Sequence, residues 1–277
     1  MKIDSHQHFW KYNPVDYGWM GLDMGKLRRD HLPGELAAIL EGVGLDGSVA
    51  VQARQISEET EWLLSLAAEN PFIKGVVGWV DLRSETVDVE LECFAAEKKL
   101  KGVRHVLQDE EDDRFMLGED FLRGIDKLEK YNLTYDILIF PRHIKYAVEL
   151  VRNFPNQPFV VDHIAKPFIK KGEIEPWLSD MRKLATAENV YCKISGMVTE
   201  AAWDNWKEED FVPYLDAILE MFGADRLMFG SDWPVCTLAG EYEQVLEIVT
   251  DAVACLSTQE QAQIMGANAI DFYKLHD

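Results

Sequence analysis

Short apolar runs rich in β-branched residues recur along the chain at intervals of roughly 30 residues, the length of a strand–helix–strand unit. Amphipathic stretches of helical period lie between successive runs. Eight runs have this form: Ile3–Phe9, Gly47–Gln52, Ile73–Val80, Gly102–Leu107, Leu133–Phe140, Pro158–His163, Val190–Ser195 and Leu227–Gly230. Eight alternations of strand and helix predict an α/β fold, and they close most economically into a (β/α)8 TIM barrel.

A doubly wound open sheet is the alternative architecture. Sheets of that kind that bind nucleotides carry a glycine-rich phosphate loop after the first strand. Neither GxGxxG nor a Walker motif follows Ile3–Phe9, and this favours the barrel.

No internal repeat, low-complexity segment or linker divides the sequence, so its 277 residues are expected to form a single domain over 1–277.

The charge of the chain restricts its partners. It has 28 basic and 49 acidic residues, a formal net charge of −21, which repels phosphate backbones and anionic lipids. Nucleic-acid and membrane partners are therefore not expected, and a small molecule is the expected partner.

The four cysteines show no CxxC spacing, which predicts reduced thiols. The sequence has no leader pattern and no long apolar run, so we expect a cytoplasmic location.

Two histidines end the first predicted strand. His6 and His8 are two residues apart, so both imidazoles lie on one face, where they can hold a metal or polarise a carbonyl. Asp232 ends the last strand in a Gly-Ser-Asp-Trp-Pro turn, where a closed barrel would place it facing the histidine pair. The structural alternatives are a solvated histidine pair and an ordinary Asx turn.

Polar side chains also follow the strands in between. They are Gln52, Arg54, Arg104, His105, Arg142, His143, Asp162, His163, Lys166 and Lys193. The five cations of this set gather at one rim of an acidic protein, which predicts recognition of a carboxylate or of a developing oxyanion. Packing or surface ion pairs explain His105, Arg142 and Lys166 equally well. The aromatic segment Phe9–His31, which contains Trp19, is predicted to form a wall over the pocket.

Seven motifs in barrel order carry a resemblance to a known family. They are Asp-Ser-His-Gln-His-Phe-Trp, Val-Gln-Ala-Arg-Gln with Glu-Glu-Thr-Glu, Gly-Val-Arg-His-Val-Leu-Gln-Asp-Glu, Pro-Arg-His, Asp-His-Ile-Ala-Lys-Pro, Lys-Ile-Ser-Gly-Met-Val-Thr-Glu and Phe-Gly-Ser-Asp-Trp-Pro-Val. Nearly end to end, the chain resembles the amidohydrolase 2 branch of the amidohydrolase superfamily. Within that branch it is most similar to sugar-acid lactonases such as L-fuconolactonase and L-rhamnonolactonase.

The resemblance implies a hydrolase that opens an aldonolactone to the aldonate. It implies a core site of His6, His8, His163 and Asp232, with Asp232 as general base and the histidines stabilising the oxyanion. Arg104 is expected to share in that stabilisation. Substrate binding is expected from Gln52, Arg54, His105, Arg142, Lys166 and Trp19.

The chain departs from the wider superfamily at two strand ends. No lysine that could be carboxylated as a metal bridge ends the fourth strand, and His143 lies beyond the end of the fifth. A two-metal centre is therefore not expected. The four core residues could hold one Zn²⁺, or hydrogen bonds could replace the metal. A dicarboxylate lactonase, a metal-dependent decarboxylase and a sugar-acid-binding protein with an inactive site are the alternative functions.

Overall fold

A computed structural model describes residues 1–276 and contains the eight predicted strands. They are β1 (Ile3–Gln7), β2 (Gly47–Val51), β3 (Ile73–Gly78), β4 (Leu100–His105), β5 (Thr134–Ile137), β6 (Phe159–Val161), β7 (Val190–Ile194) and β8 (Leu227–Phe229). Each strand pairs in parallel with the next in chain order. In a doubly wound sheet the first strand lies in the interior and the strand order reverses there. Here the spatial order follows the chain from β1 to β8, so the predicted (β/α)8 barrel is confirmed.

The strands end earlier than the apolar runs predict. β1 ends at Gln7 rather than Phe9, and β5 ends at Ile137 rather than Phe140. Beyond β1, His8 N donates to the carbonyl of Trp233 at 2.7 Å, so the loops after β1 and β8 lie side by side. Some of the polar residues that the sequence placed at strand ends, such as His8 and Asp232, therefore lie at the start of the loops, whereas Arg104 and Lys193 lie within strands.

Eleven α-helices are seen in the described part of the chain. They are α1 (Pro33–Val43), α2 (Ser57–Glu69), α3 (Val87–Ala95), α4 (Glu119–Leu128), α5 (Ile144–Asn153), α6 (Trp177–Leu184), α7 (Met197–Glu200), α8 (Val212–Phe222), α9 (Tyr242–Ala252), α10 (Thr258–Ala262) and α11 (Asn268–Phe272). α1 shows how sequence sets their ends: Pro33 occupies the first turn, and Gly44 ends the helix with φ of +70°. None of the helices within 1–276 has the length and apolar character that crossing a bilayer requires.

The floor of the barrel is apolar. Inward-facing residues of the strands, such as Val49, Val77 and Met228, pack against Phe272 and Tyr273 in the C-terminal segment. This layer seals the lower end of the barrel. Polar side chains on the upper halves of the strands are consequently enclosed between an apolar floor and the loops above.

Side chains join the first and last strands. An isolated parallel bridge joins Gln7 of β1 to Trp233 in the loop after β8. Asp4 accepts hydrogen bonds from the Ser231 hydroxyl at 2.6 Å and from the Tyr242 hydroxyl at 2.9 Å. These bonds close the seam of the barrel and hold the loop after β8 beside the loop after β1.

Candidate active site

A cavity of about 570 Å³ opens among the loops at the carboxyl ends of the strands. Its lining combines ionisable groups with an aromatic and aliphatic wall. The lining residues are His8, Trp10, Asp16, Trp19, Ala53, Arg54, Gln55, Ile56, Arg104, Val106, Gln108, Asp109, Leu138, His163, Lys166, Asp232 and Val235. This is the end of a (β/α)8 barrel at which reactive groups gather.

Three imidazoles converge on one carboxylate at the base of this cavity. Asp232 Oδ1 lies 3.3 Å from His8 Nε2 and 3.9 Å from the Nε2 atoms of both His6 and His163. All four side chains are buried. The structure thus brings together the four residues that the sequence predicts for the core site.

Burial and charge together set the ionisation of these groups. Burial lowers the pKa of His163 well below its usual range. Burial alone would raise the pKa of Asp232, but the neighbouring His163, His8 and Lys166 reverse that effect and lower it. Asp232 is therefore a carboxylate near neutral pH, able to accept a proton.

Backbone in the left-handed region shapes the turn after β6. His163, Ile164, Ala165 and Lys166 have φ values of +54°, +46°, +58° and +50°. Such values are costly for residues with a Cβ atom, above all for a β-branched one, and they occur where the surroundings enforce them. The turn directs both His163 and Lys166 into the cavity wall.

A glycine makes room for the His163 ring. Gly196 has φ of +61°, and a Cβ atom there would lie 2.5 Å from His163 Nδ1. The same nitrogen lies 2.9 Å from the hydroxyl of Ser195. The Ser-Gly pair after β7 therefore holds this imidazole from below, which accounts for the Lys-Ile-Ser-Gly motif.

Arg104 crosses the barrel below the cavity. Its Nη1 donates to Asp162 Oδ2 at 3.0 Å and lies 3.3 Å from His6 Nε2. Its Nη2 donates to both the backbone carbonyl and the side-chain oxygen of Gln52, the latter at 3.0 Å. Gln52, which the sequence predicts to bind substrate, is fully buried, is absent from the cavity lining and contacts Arg104.

Asp162 lies among cations. Burial alone would raise its pKa, but Lys193, His6 and Arg104 hold the pKa of Asp162 well below its usual range. Burial lowers the pKa of His6 well below its usual range; Asp162 opposes that shift and Lys193 adds to it. The layer under the cavity thus contains a charged aspartate and a neutral imidazole at neutral pH.

The sequence pattern predicted five cations at the rim, but Lys193 and Arg104 are buried within the barrel. The Lys193 side chain is fully buried, with Nζ 2.5 Å from Asp136 Oδ2 and 3.0 Å from Asp162 Oδ1. A lysine in a strand whose side chain faces inward has no route to solvent in a closed barrel, so it pairs with the carboxylates beside it.

The long first loop forms a wall of the cavity, as predicted. The Trp10 indole N–H is shared between the carbonyls of Leu27 and Arg29, at 3.1 and 2.9 Å, which fastens the loop. Trp19 lies on the cavity side and is 47% exposed. Asp16 reaches across to Arg54 Nη2 at 3.1 Å.

Besides Gln52, two more of the predicted substrate-binding residues, His105 and Arg142, lie away from the cavity lining. His105 Nε2 is 2.7 Å from Glu110 Oε1, and its ring stacks on Phe115. Arg142 Nε donates to Asp113 at 2.9 Å on the protein surface. In both cases a carboxylate from the loop after β4 pairs with the side chain and holds it outside the pocket.

Asp16 and Gln55 line the cavity, although the sequence did not single them out. Gln55 follows Arg54 at the end of β2, and its side-chain oxygen accepts from Val106 N at 2.8 Å. Its position in the Val-Gln-Ala-Arg-Gln motif was the available signal. No local pattern in the sequence singled out Asp16, because its contact with Arg54 joins segments 38 residues apart.

The core residues have the chemistry of a metal site. Two groups have ligand atoms within 4.8 Å of one another: His6, His8 and Asp232, and His6, Asp162 and His163. Tetrahedral Zn²⁺ with bonds of 2.0–2.1 Å separates its ligand atoms by about 3.3 Å, close to the 3.3 Å between His8 and Asp232. Zinc binds imidazole nitrogens and carboxylate oxygens. Each of the two groups therefore offers ligands of the kind that a single zinc ion takes.

Known proteins share both the sequence and the architecture. The family model described as amidohydrolase matches residues 3–275. A Burkholderia multivorans protein named L-fucono-1,5-lactonase is 40% identical over 286 residues, covering 99% of this chain and 96% of that protein. A Burkholderia ambifaria protein of the same name is 35% identical, with 99% and 96% covered.

A solved structure shows how closely the fold is shared. The crystal structure of an amidohydrolase from Burkholderia multivorans with bound Zn has a TM-score of 0.96 against this chain. The two are 39% identical, and the match covers 100% of each chain.

Proposed function

The chain belongs to the amidohydrolase family, and on that basis we propose that it hydrolyses a sugar-acid lactone to the open aldonate. The observation that carries the proposal is the convergence of three imidazoles on the ionised Asp232 at the base of a cavity large enough for a monosaccharide. Two relatives at 40% and 35% identity bear the name L-fucono-1,5-lactonase, and this makes L-fucono-1,5-lactone the first substrate to test.

In the proposed reaction Asp232 acts as the general base. Its carboxylate takes a proton from water as the water oxygen bonds to the lactone carbonyl carbon. The carbonyl oxygen becomes an oxyanion, stabilised by Arg104 Nη1 and by the imidazoles that face Asp232. When the ring C–O bond breaks, the departing alkoxide takes the proton from Asp232, and the carboxylate is restored.

Charged and aromatic groups on the cavity wall would hold the substrate. Arg54 and Lys166 offer cations to the hydroxyls and to the carboxylate of the product, and Trp19 offers an aromatic face. Lys166 has no ion-pair partner within residues 1–276 and lies 5.5 Å from the centre of the Phe140 ring. A carboxylate formed in the pocket would supply that partner.

One Zn²⁺ held by His6, His8, His163 and Asp232 would act as a Lewis acid that polarises the lactone carbonyl. The residues that surround the reacting carbonyl already include a fixed cation, Arg104, and imidazole groups. A lactone is a better electrophile than an amide, so we propose that zinc is not obligatory for the reaction.

A panel of aldonolactones tests the function. Ring opening releases a proton when the product acid ionises, so turnover is followed with a pH indicator, with and without chelator. We expect the highest turnover on L-fucono-1,5-lactone or a close stereoisomer, and activity that survives chelation. Equal low rates on all lactones would refute lactonase activity, and loss of all activity with chelator would make zinc essential.

Asp232→Asn tests the general base. The amide keeps the shape of the side chain but cannot accept the proton, so kcat/KM should fall about 10²–10⁴-fold while the circular dichroism spectrum is unchanged. Asp88→Asn, on the exposed outer face of α3, is the matched control and should keep the parent rate. Parent activity in Asp232→Asn would exclude this role.

A further inference from the structure

The chain between β2 and α2 forms part of the cavity wall, where four consecutive residues, 53–56, line it. Just before them, Gln52 N still donates to the carbonyl of Val77 at 2.8 Å, in the manner of a strand. The helix α2 begins only at Ser57. Segment 53–56 therefore lies outside both the sheet and the helix, and its backbone N–H groups need other partners.

Glu59 supplies partners for the first two residues of this segment. Its Oε2 accepts hydrogen bonds from Arg54 N at 2.5 Å and from Ala53 N at 3.1 Å. The Glu59 side chain is only 3% exposed, so bulk water does not compete for these bonds. Hydrogen bonds to a carboxylate are stronger than those between neutral groups. Glu59 thereby ties the backbone of the cavity wall to the first turn of α2.

Helix capping does not account for this contact. Glu59 is the third residue of α2, and in a capping box a glutamate there accepts from the N–H of the N-cap residue, here Ile56. Glu59 instead reaches two and three residues further back along the chain. Interaction with the helix dipole does not require burial either, since Glu58 occupies the same turn and is exposed.

Arg54 is the cavity side chain that this contact serves. Its Nη2 lies 3.1 Å from Asp16 Oδ1, and its guanidinium carbon lies 5.8 Å from the centre of the Tyr17 ring. Both of these partners belong to the long first loop, and the ion pair is partly exposed, so it holds the arginine only weakly. The buried hydrogen bond to Glu59 is the contact that fixes Arg54 relative to the barrel.

We propose that Glu59 is a positioning residue for substrate recognition, which holds the backbone of Arg54 so that the guanidinium stays in the cavity wall. The next residue, Thr60, donates from its hydroxyl to the carbonyl of Trp79 at 2.8 Å, which fastens this turn of α2 to the end of β3. The role in recognition rests on the proposed lactone hydrolysis. The anchoring of the Arg54 backbone does not, since it is a property of the free protein.

The amide proton of Arg54 tests the anchor directly. In the full-length chain, ¹⁵N-labelled at arginine, the Arg54 signal is identified by its loss in Arg54→Gln. We expect this amide to be protected from hydrogen exchange in the wild-type protein and to exchange about tenfold or more faster in Glu59→Leu. An Arg54 amide that exchanges in the wild type as it would in an unfolded peptide would overturn the proposal.

The kinetics of Glu59→Leu test the consequence for recognition. We expect the KM for lactone to rise about three- to tenfold with kcat within about twofold, because the groups around Asp232 are unchanged. Glu59→Gln keeps an oxygen acceptor, so it should retain the protected amide and a KM within about twofold of wild type. Glu58→Leu, in the same helical turn, is the matched control and should change neither. A wild-type KM in Glu59→Leu would contradict the proposal.

A double-mutant cycle separates this role from a general loss of structure. If Glu59 acts through Arg54, adding Glu59→Leu to Arg54→Gln should leave KM within about twofold of the Arg54→Gln value. Gln55 is not expected to contribute, because its side-chain oxygen is held separately by Val106 N at 2.8 Å. Effects on KM that multiply would show that Glu59 acts independently of Arg54, against the proposal.

Glu59→Ala covers the case in which Glu59→Leu does not fold. Its smaller side chain leaves room for water at the two N–H groups, and the same rise in KM and faster exchange of the Arg54 amide are expected. A wild-type protein with a protected Arg54 amide and no turnover of any lactone would refute lactone hydrolysis and leave the anchoring of Arg54 standing. Equal exchange rates in wild type and Glu59→Ala would refute the anchor itself.

Discussion

Beneath the pocket, Lys193 meets Asp136 and Asp162 with all three side chains fully buried, whereas on the rim Arg54 meets Asp16 with the two side chains 28% and 32% exposed. The buried charges have lost their hydration, and their ion pairs with one another offset that loss of free energy. Each side chain is therefore held in place by the others. The rim pair is screened by solvent and contributes little to stability. The lower layer therefore suits the reaction, which needs fixed geometry, and the rim suits recognition, which needs adjustable contacts.

The largest expected effect compares two aspartates. Asp162→Asn removes the anion that two buried cations share and should lower the free energy of unfolding by about 3–5 kcal/mol. Asp113→Asn on the rim, where the carboxylate pairs with Arg142 and His143, should cost less than about 1 kcal/mol. Urea unfolding of both variants at pH 7 measures the difference, and similar losses would contradict the contrast between the layers.

Glu59 is a buried carboxylate that forms no ion pair within residues 1–276, so it can be compared with the paired Asp162. Glu59 accepts hydrogen bonds from the backbone N–H groups of Ala53 and Arg54, but burial raises its pKa to about 7. Since its unfolded pKa is lower, near 4.5, the fold favours the protonated form. This group therefore favours folding at low pH, and that contribution is lost as the pH rises from about 4.5 to 7.

Glu59→Gln keeps an oxygen acceptor and cannot ionise. Relative to wild type, the variant should gain about 2–3 kcal/mol of stability between pH 5 and pH 8, given 1.36 kcal/mol per pKa unit. Chemical denaturation at the two pH values measures this gain. A constant difference between variant and wild type would mean that Glu59 does not titrate in this range.

The smallest expected effect on stability lies at the rim. Arg54→Gln should change the free energy of unfolding by less than about 1 kcal/mol, while raising the KM for lactone about three- to tenfold with kcat within about twofold. Asp16→Asn leaves the guanidinium in the cavity wall and should raise KM less. A fall in kcat as large as that of Asp232→Asn would show that Arg54 belongs to the reacting layer.

The architecture followed from local signals. Strand length, helical period and turn residues are properties of neighbouring residues, and they predicted eight strands in the right order. The set of four core residues came from the family resemblance, and the structure brings them together. The approach of Asp232 to His6 and His8 was predicted from barrel closure alone, because closure brings the end of the last strand beside the end of the first.

The depth and partners of the other polar residues were not predictable in this way. Lys193 and Arg54 were both predicted at the ends of strands. Lys193 is enclosed in the barrel, whereas Arg54 reaches the rim of the cavity. Arg142 turns away because Asp113, 29 residues earlier, is close enough to accept its hydrogen bond. Such pairings depend on loop conformations that join distant segments, and no local pattern in the sequence encodes them.

The seam between the first and last strands has a consequence for biosynthesis. The long-range partners of Asp4 are Ser231 and Tyr242, and Asp232 lies beside His8 because of the same closure. A ribosome must therefore synthesise the chain through Tyr242 before Asp4 can form both of these hydrogen bonds. Until then the amino-terminal strand lacks one edge partner, and a prematurely terminated product would hold the histidine pair without its acidic counterpart.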